Sequence, residues 1–380
     1  MTTISDLSPK LVGEILSRVP MTSLKAVRCT CKKWNALSKD WILCAARKQF
    51  LGFMMMDFRV CSMKFDLQGI RNNLVDPCIK QIGQLDQIEV CKLFHCDGLL
   101  LCVVKDNSML LVWNPYLGQT VRIHPRNSFH RLDRYALGYD KNRNHKILRF
   151  VDNHLAVGKH VFGYEIYDFS SSSWRVLDVT PDWDIQSYQR GVSLKGNTYF
   201  FAQEKITEDG EYEEIEDFLL CFDFSIEGFE PRLPLPFHSY VLETVALSSV
   251  RDEQLVVLYQ RLDSYEILDI WVTTKIEPSA VSWSMFLKVD MRPLTGFQFM
   301  IEAGSFFIDE EKKVAVVFDL SGYKQTVTRR YQTAYIIGQD GYFKSVSLGE
   351  PEKFGYTPPH MYCLPLVCPS YAPSLVQLYH

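Results

Sequence analysis

Signatures of catalysis and of membrane insertion are scarce in this sequence. Its longest apolar runs, such as Gly98–Val104 and Val314–Phe318, are strand-sized, whereas a spanning helix needs about 20 residues. The opening MTTISDLSPK lacks the apolar centre of a secretory signal, so export is not expected. No Gly-x-Ser-x-Gly elbow, His-Glu-x-x-His pair, Gly-x-Gly-x-x-Gly turn or phosphate loop occurs, and no Gly-Gly pair either. Eleven cysteines in a long chain without an export signal read as reduced thiols of the nucleus and/or cytoplasm. Net charge is −4, from 41 basic and 45 acidic residues, which gives no chain-wide field for nucleic acid.

What is present fits a folded globular protein: 47% hydrophobic and 23% charged over 380 residues. That length exceeds one ordinary core, so two folding units or one large modular unit are expected. Charge is uneven. The first 50 residues carry nine basic and three acidic side chains, hence +6, and the remainder carries −10. Such a step suggests a small basic module (residues 1–45) fused to a larger acidic body (residues 50–380).

The module reads as helical. Ser8-Pro9 is a helix start, a hydroxyl N-cap followed by proline where its missing N–H costs nothing. Leu11, Val12, Ile15, Leu16 and Val19 recur at helical spacing, and Pro20 stops that helix. A second start at Thr22 or Ser23 leads into Leu24, Val27, Cys31 and Trp34, again three and four apart. Two or three short amphipathic helices in about 40 residues make a marginal core alone. They pack either on the body of their own chain or on another protein.

The segment LSPKLVGEILSRVPMTSLKAVRCTCKKWNAL (7–37) resembles an F-box. The matching residues are Leu7 and Pro9, Glu14-Ile15-Leu16, Arg18-Val19-Pro20, Leu24, Arg28 and Cys31-Lys32-Lys33-Trp34. An inserted Ser8, Val19 for leucine and Lys33 for arginine depart from the family pattern. The resemblance implies a three-helix segment that docks on the Skp-type linker of a cullin–RING ubiquitin ligase. It assigns linker contact or module packing to Leu7, Pro9, Leu11, Ile15, Leu16, Val19, Pro20, Leu24, Val27, Cys31 and Trp34.

Beyond residue 50 the pattern is mainly β. Five segments repeat a strand, a polar turn and a more apolar strand: 92–104, 136–151, 191–202, 245–259 and 304–318. Four are followed by a strand ending in an aromatic with Asn or Asp, or a relative of that pair: Trp113-Asn114, Tyr167-Asp168, Phe222-Asp223 and Trp271-Val272-Thr273. Phe65-Asp66 is an earlier copy, and the spacing is close to 50 residues. A fourth strand follows, with Trp174, Phe229, Trp283 or Phe343. Four strands repeating at this period predict a β-propeller, whose blades bury both faces only by stacking. Partial material at 53–80 and 360–380 brings the expected number of blades to about six.

The kelch and WD hallmarks are absent. The body instead resembles the F-box-associated interaction domain of plant F-box proteins, through Cys96-Asp97-Gly98-Leu99-Leu100-Leu101-Cys102, Trp113-Asn114-Pro115-Tyr116-Leu117-Gly118 and Leu137-Gly138-Tyr139-Asp140. Tyr164-Glu165-Ile166-Tyr167, Ser173-Trp174-Arg175, Gly196-Asn197-Thr198-Tyr199 and Tyr371-Ala372-Pro373-Ser374-Leu375-Val376 complete it. The resemblance implies a propeller-like platform whose ligands differ from member to member.

Other clusters read more simply. Cys29, Cys31 and Cys44, or Cys91, Cys96 and Cys102, lack zinc spacing and are expected as small buried hydrophobes. His95 beside Cys96, and His124 with His130, carry no accompanying catalytic motif. Arg28, Lys32, Lys33, Lys39, Arg47 and Lys48 form a solvated or partner-facing basic patch. Glu204–Asp217 holds eight acids and one lysine, either as a solvated loop or as a steering surface for a basic substrate.

The expected function is a non-catalytic adaptor. Its partners would be a Skp-type linker and, through it, cullin and RING subunits, together with an unidentified target protein. No cofactor, metal, nucleic acid or membrane is expected. One alternative is a propeller-based lectin or enzyme with an incidental helical module, and another is a linker-bound protein that recruits no target.

Overall fold

The computed structural model describes residues 52–67, 76–81, 85, 87–130, 132–153, 161–186, 188–205, 215–240, 243–251, 253–261, 267–291, 299, 305–320, 331–350, 366–369 and 371–378, with Ser8, Leu11, Val12 and Ile15. Its strands form six antiparallel sheets. Blade 1 contains β1 (Gly52–Met56), β2 (Arg59–Asp66) and β3 (Asp76–Gln81). Blade 2 contains β4 (Val90–Cys96), β5 (Leu99–Val104), β6 (Leu110–Asn114) and β7 (Gln119–Ile123). Blade 3 contains β8 (Arg134–Tyr139), β9 (His145–Asn153), β10 (Val161–Asp168) and β11 (Ser173–Leu177). Blade 4 contains β12 (Trp183–Asp184), β13 (Val192–Leu194), β14 (Asn197–Glu204), β15 (Asp217–Asp223) and β16 (Gly228–Phe229). Blade 5 contains β17 (Thr244–Val250), β18 (Gln254–Gln260), β19 (Ile267–Glu277) and β20 (Ala280–Asp290). Blade 6 contains β21 (Ser305–Asp309), β22 (Val314–Leu320), β23 (Gln332–Gly338) and β24 (Phe343–Gly349).

The last strand, β25 (Leu366–Cys368), returns to pair with β1, Phe53 opposite Cys368 and Met55 opposite Leu366. The two partial fragments of the sequence therefore make one blade, and the ring closes at six. Inner strands β25, β4, β8, β13, β17 and β21 each touch the next, and β21 touches β25 again.

Each blade interface holds one apolar cluster, and strand alternation distributes side chains between them. In β5, Leu100 and Cys102 face blade 1, while Leu99, Leu101 and Val103 face blade 3. In β18, Val256 and Leu258 face blade 6, and Leu255, Val257 and Tyr259 face blade 4. This double burial explains why the second strand of each repeat reads as a continuous apolar run.

The aromatic-plus-Asn/Asp ending has a local cause. The side-chain oxygen of Asn114 accepts from Leu117 N at 3.0 Å, that of Asp168 from Ser170 N at 2.8 Å, and that of Asp223 from Ser225 N at 2.6 Å. Each shapes the turn into the fourth strand. The fourth-strand tryptophans tie a blade to the connection before it. Trp174 Nε1 donates to His124 O at 2.8 Å, and Trp283 Nε1 to Pro234 O at 3.0 Å. Polar contacts staple neighbouring blades: Asp97 pairs with Arg143 at 2.8 Å and hydrogen-bonds His145 Nε2 at 3.1 Å, and Lys146 pairs with Glu227 at 2.7 Å.

Candidate functional site

Ser8 caps a helical segment as its position suggests. Its Oγ accepts from Leu11 N at 3.3 Å and its carbonyl from Val12 N at 3.0 Å, and Leu11, Val12 and Ile15 have helical backbone. The apolar stripe divides. Val12 is 1% exposed and joins the cluster between blades 1 and 2, whereas Leu11 and Ile15 are 45% and 41% exposed. One side chain thus serves this chain's own core, and two large apolar side chains face outward. Leu7, Pro9, Leu16, Val19, Pro20, Leu24, Val27, Cys31 and Trp34 lie outside the described residues, as do Cys29, Cys44 and the basic patch.

The connections of the propeller divide between two faces. In blades 2 to 6 the first and second strands meet through short turns, such as 97–98 and 195–196, and so do the third and fourth, such as 115–118 and 169–172. Antiparallel order places all of these on one face. The second strands of these blades end and the third strands begin on the other, where the described residues 124–130 and 230–240 also lie between blades. Gly52 begins β1 on the turn face, so the N-terminal segment joins the propeller there.

On that turn face the tail crosses blade 2. Asn114 Nδ2 donates to Ser374 O at 3.1 Å and Val376 O at 2.8 Å, and Gln119 Oε1 accepts from Leu378 N at 3.1 Å. Tyr371 packs edge-on against Phe53, their ring centres 4.7 Å apart. The tail motif seen in the sequence is therefore a strap over the second blade.

At the axis, β12 and β13 both pair with β14 and so form one interrupted inner strand. From the interruption Arg190 reaches across, donating to Leu93 O of blade 2 and at 3.0 Å to Ser305 Oγ of blade 6. Ser305 Oγ also accepts from Val367 N of β25 at 2.8 Å. His95, Arg190, Ser193, Ser248, Ser305 and Cys368 help line a cavity of about 40 Å³. That is room for a water or two, against about 300–1,000 Å³ for ordinary small-molecule pockets. Burial pushes the His95 imidazole down to about 4, opposed by the nearby charge of Asp97. The ring is neutral, and its Nε2 accepts from Gly98 N at 3.3 Å.

The remaining sequence candidates separate. Cys96 faces blade 3 and Cys102 blade 1, and burial raises the Cys91 and Cys102 thiols. No group of three or more potential metal ligands occurs among the described residues. His95 and Cys96 are consecutive on β4 and point to opposite faces. His130 takes Leu132 N at 3.4 Å, and the His124 carbonyl serves Trp174.

The acidic stretch needs a correction at its end. Asp217 is buried, accepting from Ser239 N at 2.8 Å and Ser239 Oγ at 2.7 Å and pairing with His238 Nδ1 at 2.6 Å. Its burial follows from opening β15 directly beneath the connection to blade 5. Residues 206–214 lie outside the described residues.

Sequence reasoning did not single out Arg190, which lies in the interruption between β12 and β13. It also missed the strap role of Asn114, although that residue differed visibly from the aspartates at equivalent positions.

Comparison with known proteins agrees with this architecture. The F-box domain matches residues 4–44, and the F-box associated beta propeller domain matches residues 51–378. An F-box protein of Arabidopsis thaliana is 68% identical over 389 aligned positions, spanning all of both chains. An F-box/kelch-repeat protein of the same plant is 62% identical, over all of this chain and 97% of that one. A strapped, six-bladed body behind an F-box places the chain in a known group: it belongs to the F-box proteins that carry an F-box-associated β-propeller.

Proposed function

We propose that the chain is the substrate-recognition adaptor of an SCF-type ubiquitin ligase, with residues 1–45 holding a Skp-type linker and residues 50–380 holding a target protein. The observation that carries this reading is the joining, in one chain, of an F-box match over 4–44 to a closed propeller. Exposure of Leu11 and Ile15 beside a buried Val12 supports it, since a capped helix that keeps large apolar side chains in water is suited to a partner. Ubiquitin transfer then gains by proximity. Tethering replaces a bimolecular encounter with a high local concentration of target lysines near the charged conjugating enzyme. No residue of this chain need touch the thioester chemistry. The axial cavity, at about 40 Å³, offers little room for a sugar or a small substrate, which disfavours a lectin or an enzyme.

The test is co-purification of the full chain with a Skp-type linker. Leu16→Ala with Pro20→Ala should weaken binding by several kcal/mol, because central apolar anchors dominate such interfaces. Leu11→Asp with Ile15→Asp should abolish co-purification while leaving the melting temperature unchanged. Val12→Ala should instead cost roughly 1–3 kcal/mol of stability and spare the linker. Undiminished linker capture by both double variants would overturn the assignment. A cellular turnover assay on a captured target, with and without residues 1–40, separates an adaptor from a protein that binds the linker alone.

A further inference from the structure

The axial cavity is walled by hydrogen-bond donors beside one buried charge. Among the described residues that line its roughly 40 Å³ there is one cation, Arg190, and no carboxylate. Arg190 reaches it from the interruption in blade 4, donating to Leu93 O and, at 3.0 Å, to Ser305 Oγ, both neutral groups. Burial pushes the guanidinium pKa down, with the Cys368 thiol opposing, yet an arginine keeps its proton in proteins. A cation taken out of water is costly to hold, and an anion at contact distance offsets that cost.

Two further donors line the same cavity. Ser305 is 2% exposed, and its Oγ accepts from Arg190 and, at 2.8 Å, from Val367 N. A hydroxyl oxygen has two lone pairs, so what Ser305 has left to offer is its O–H. His95 Nε2 accepts from Gly98 N at 3.3 Å, which puts the proton of the neutral ring on Nδ1. The neighbouring serines spend their protons elsewhere, Ser193 on Leu137 O at 2.6 Å and Ser248 on Phe306 O at 2.7 Å. A water would meet the Ser305 and His95 donors; an anion meets both and also lies beside a buried positive charge.

We propose that the axial cavity binds one monovalent anion of chloride size, held by Ser305 Oγ–H, His95 Nδ1–H and the Arg190 guanidinium. The volume admits an ion little larger than a water, which excludes phosphate, sulfate and sugar acids. Its three holders come from blades 6, 2 and 4, and Ser305 also grips the closing strand β25 through Val367 N. The site therefore exists only in the closed ring, and anion binding stabilises closure by mass action.

The test uses the full chain co-expressed with a Skp-type linker, in sodium salts held at about 150 mM ionic strength so that screening stays constant. Replacing gluconate, too large for the cavity, by chloride should slow hydrogen exchange of peptides covering 366–368 at least about tenfold, and saturably, as a single site of roughly 10 mM affinity requires. Arg190→Gln and Ser305→Ala should each reduce that chloride-to-gluconate ratio to about twofold or less, whereas Ser193→Ala, on the same wall, should keep it. The ratio within each variant is the readout, because both disrupting changes also loosen the ring by themselves. Chlorine NMR of the wild type needs no variant: the chloride line should broaden in the presence of the protein and sharpen again when bromide is added. Equal exchange in the two salts, equal ratios in wild type and both disrupting variants, or a chloride line that does not broaden overturns the proposal. Linker co-purification does not depend on the salt chosen, so none of these results bears on the adaptor reading.

Discussion

Asn114 performs two tasks, of which its counterparts in blades 3 and 4 perform one. As an acceptor it shapes the turn through Leu117 N, as Asp168 and Asp223 shape theirs; as a donor it grips two carbonyls of the tail. Asparagine suits the site because its amide offers one acceptor oxygen and two N–H donors at once. Replacing it separates the two. Asn114→Ala removes everything, and each lost strap bond is worth about 1–1.5 kcal/mol net. Two of them total about 2–3 kcal/mol, or roughly 30- to 150-fold in the opening equilibrium of the tail. Asn114→Asp keeps the turn acceptor, loses both donors and sets a carboxylate against the Ser374 and Val376 oxygens. It should free the tail at least tenfold more than alanine does while leaving the 113–118 turn protected. Hydrogen exchange by mass spectrometry reads both regions, with the Leu378 amide, bonded to Gln119, as the tail's reporter. Unchanged exchange of the C-terminal peptide in both variants would refute the strap.

Three further outcomes follow from the packing. The imidazole of His95, ordinarily near 6.5, is held down to about 4, so the unfolded chain binds a proton that the folded one refuses between those values. Stability from this site is full above pH 6.5 and is lost as pH falls toward 4, by about 2 kcal/mol between pH 7 and pH 5; urea titrations should show that slope flattened in His95→Gln. Ser305→Ala strips an acceptor from Val367 N and Arg190; it should cost about 2–4 kcal/mol and raise exchange at 366–368 first. Gly98 has φ +73°, and a Cβ there would sit 2.4 Å from Ser374 Cβ and 2.6 Å from the Ala372 carbonyl, whereas one at Gly341, φ +72°, would meet nothing within 4 Å. Gly98→Ala should therefore lower the melting temperature far more than Gly341→Ala, which carries only the backbone penalty of about 1 kcal/mol.

The wheel was legible where its physics is local and repeated. The turn before β5, the Asn/Asp that caps the way into the fourth strand and the tryptophan one period later each recur near 50 residues, so a pattern exposes them. Three features lie outside that pattern. Arg190 works only because four blades converge on the axis, and nothing near it in the chain signals that convergence. Residues 371–378 are not a strand and contain Pro373, so no alternation marks them as structural. Asp217 sits in a run of acids that reads as solvated, yet the fold buries it beneath the next connection. The helix start at Ser8 was readable because a cap and a following proline suffice, and the same stripe that held Leu11, Val12 and Ile15 together could not tell which of them the propeller would claim.

Closure by β25 also sets a schedule for biosynthesis. Blade 1 begins at residue 52, but the strand that completes it is the one at 366–368, so the earliest sheet to leave the ribosome waits for nearly the last. At about 5–20 residues per second that wait is roughly 15 to 60 s. During it the inner edge of β1 has no partner strand, an open edge of the kind that invites pairing with other chains. A message cut short near its end would then yield a protein whose oldest portion never matures.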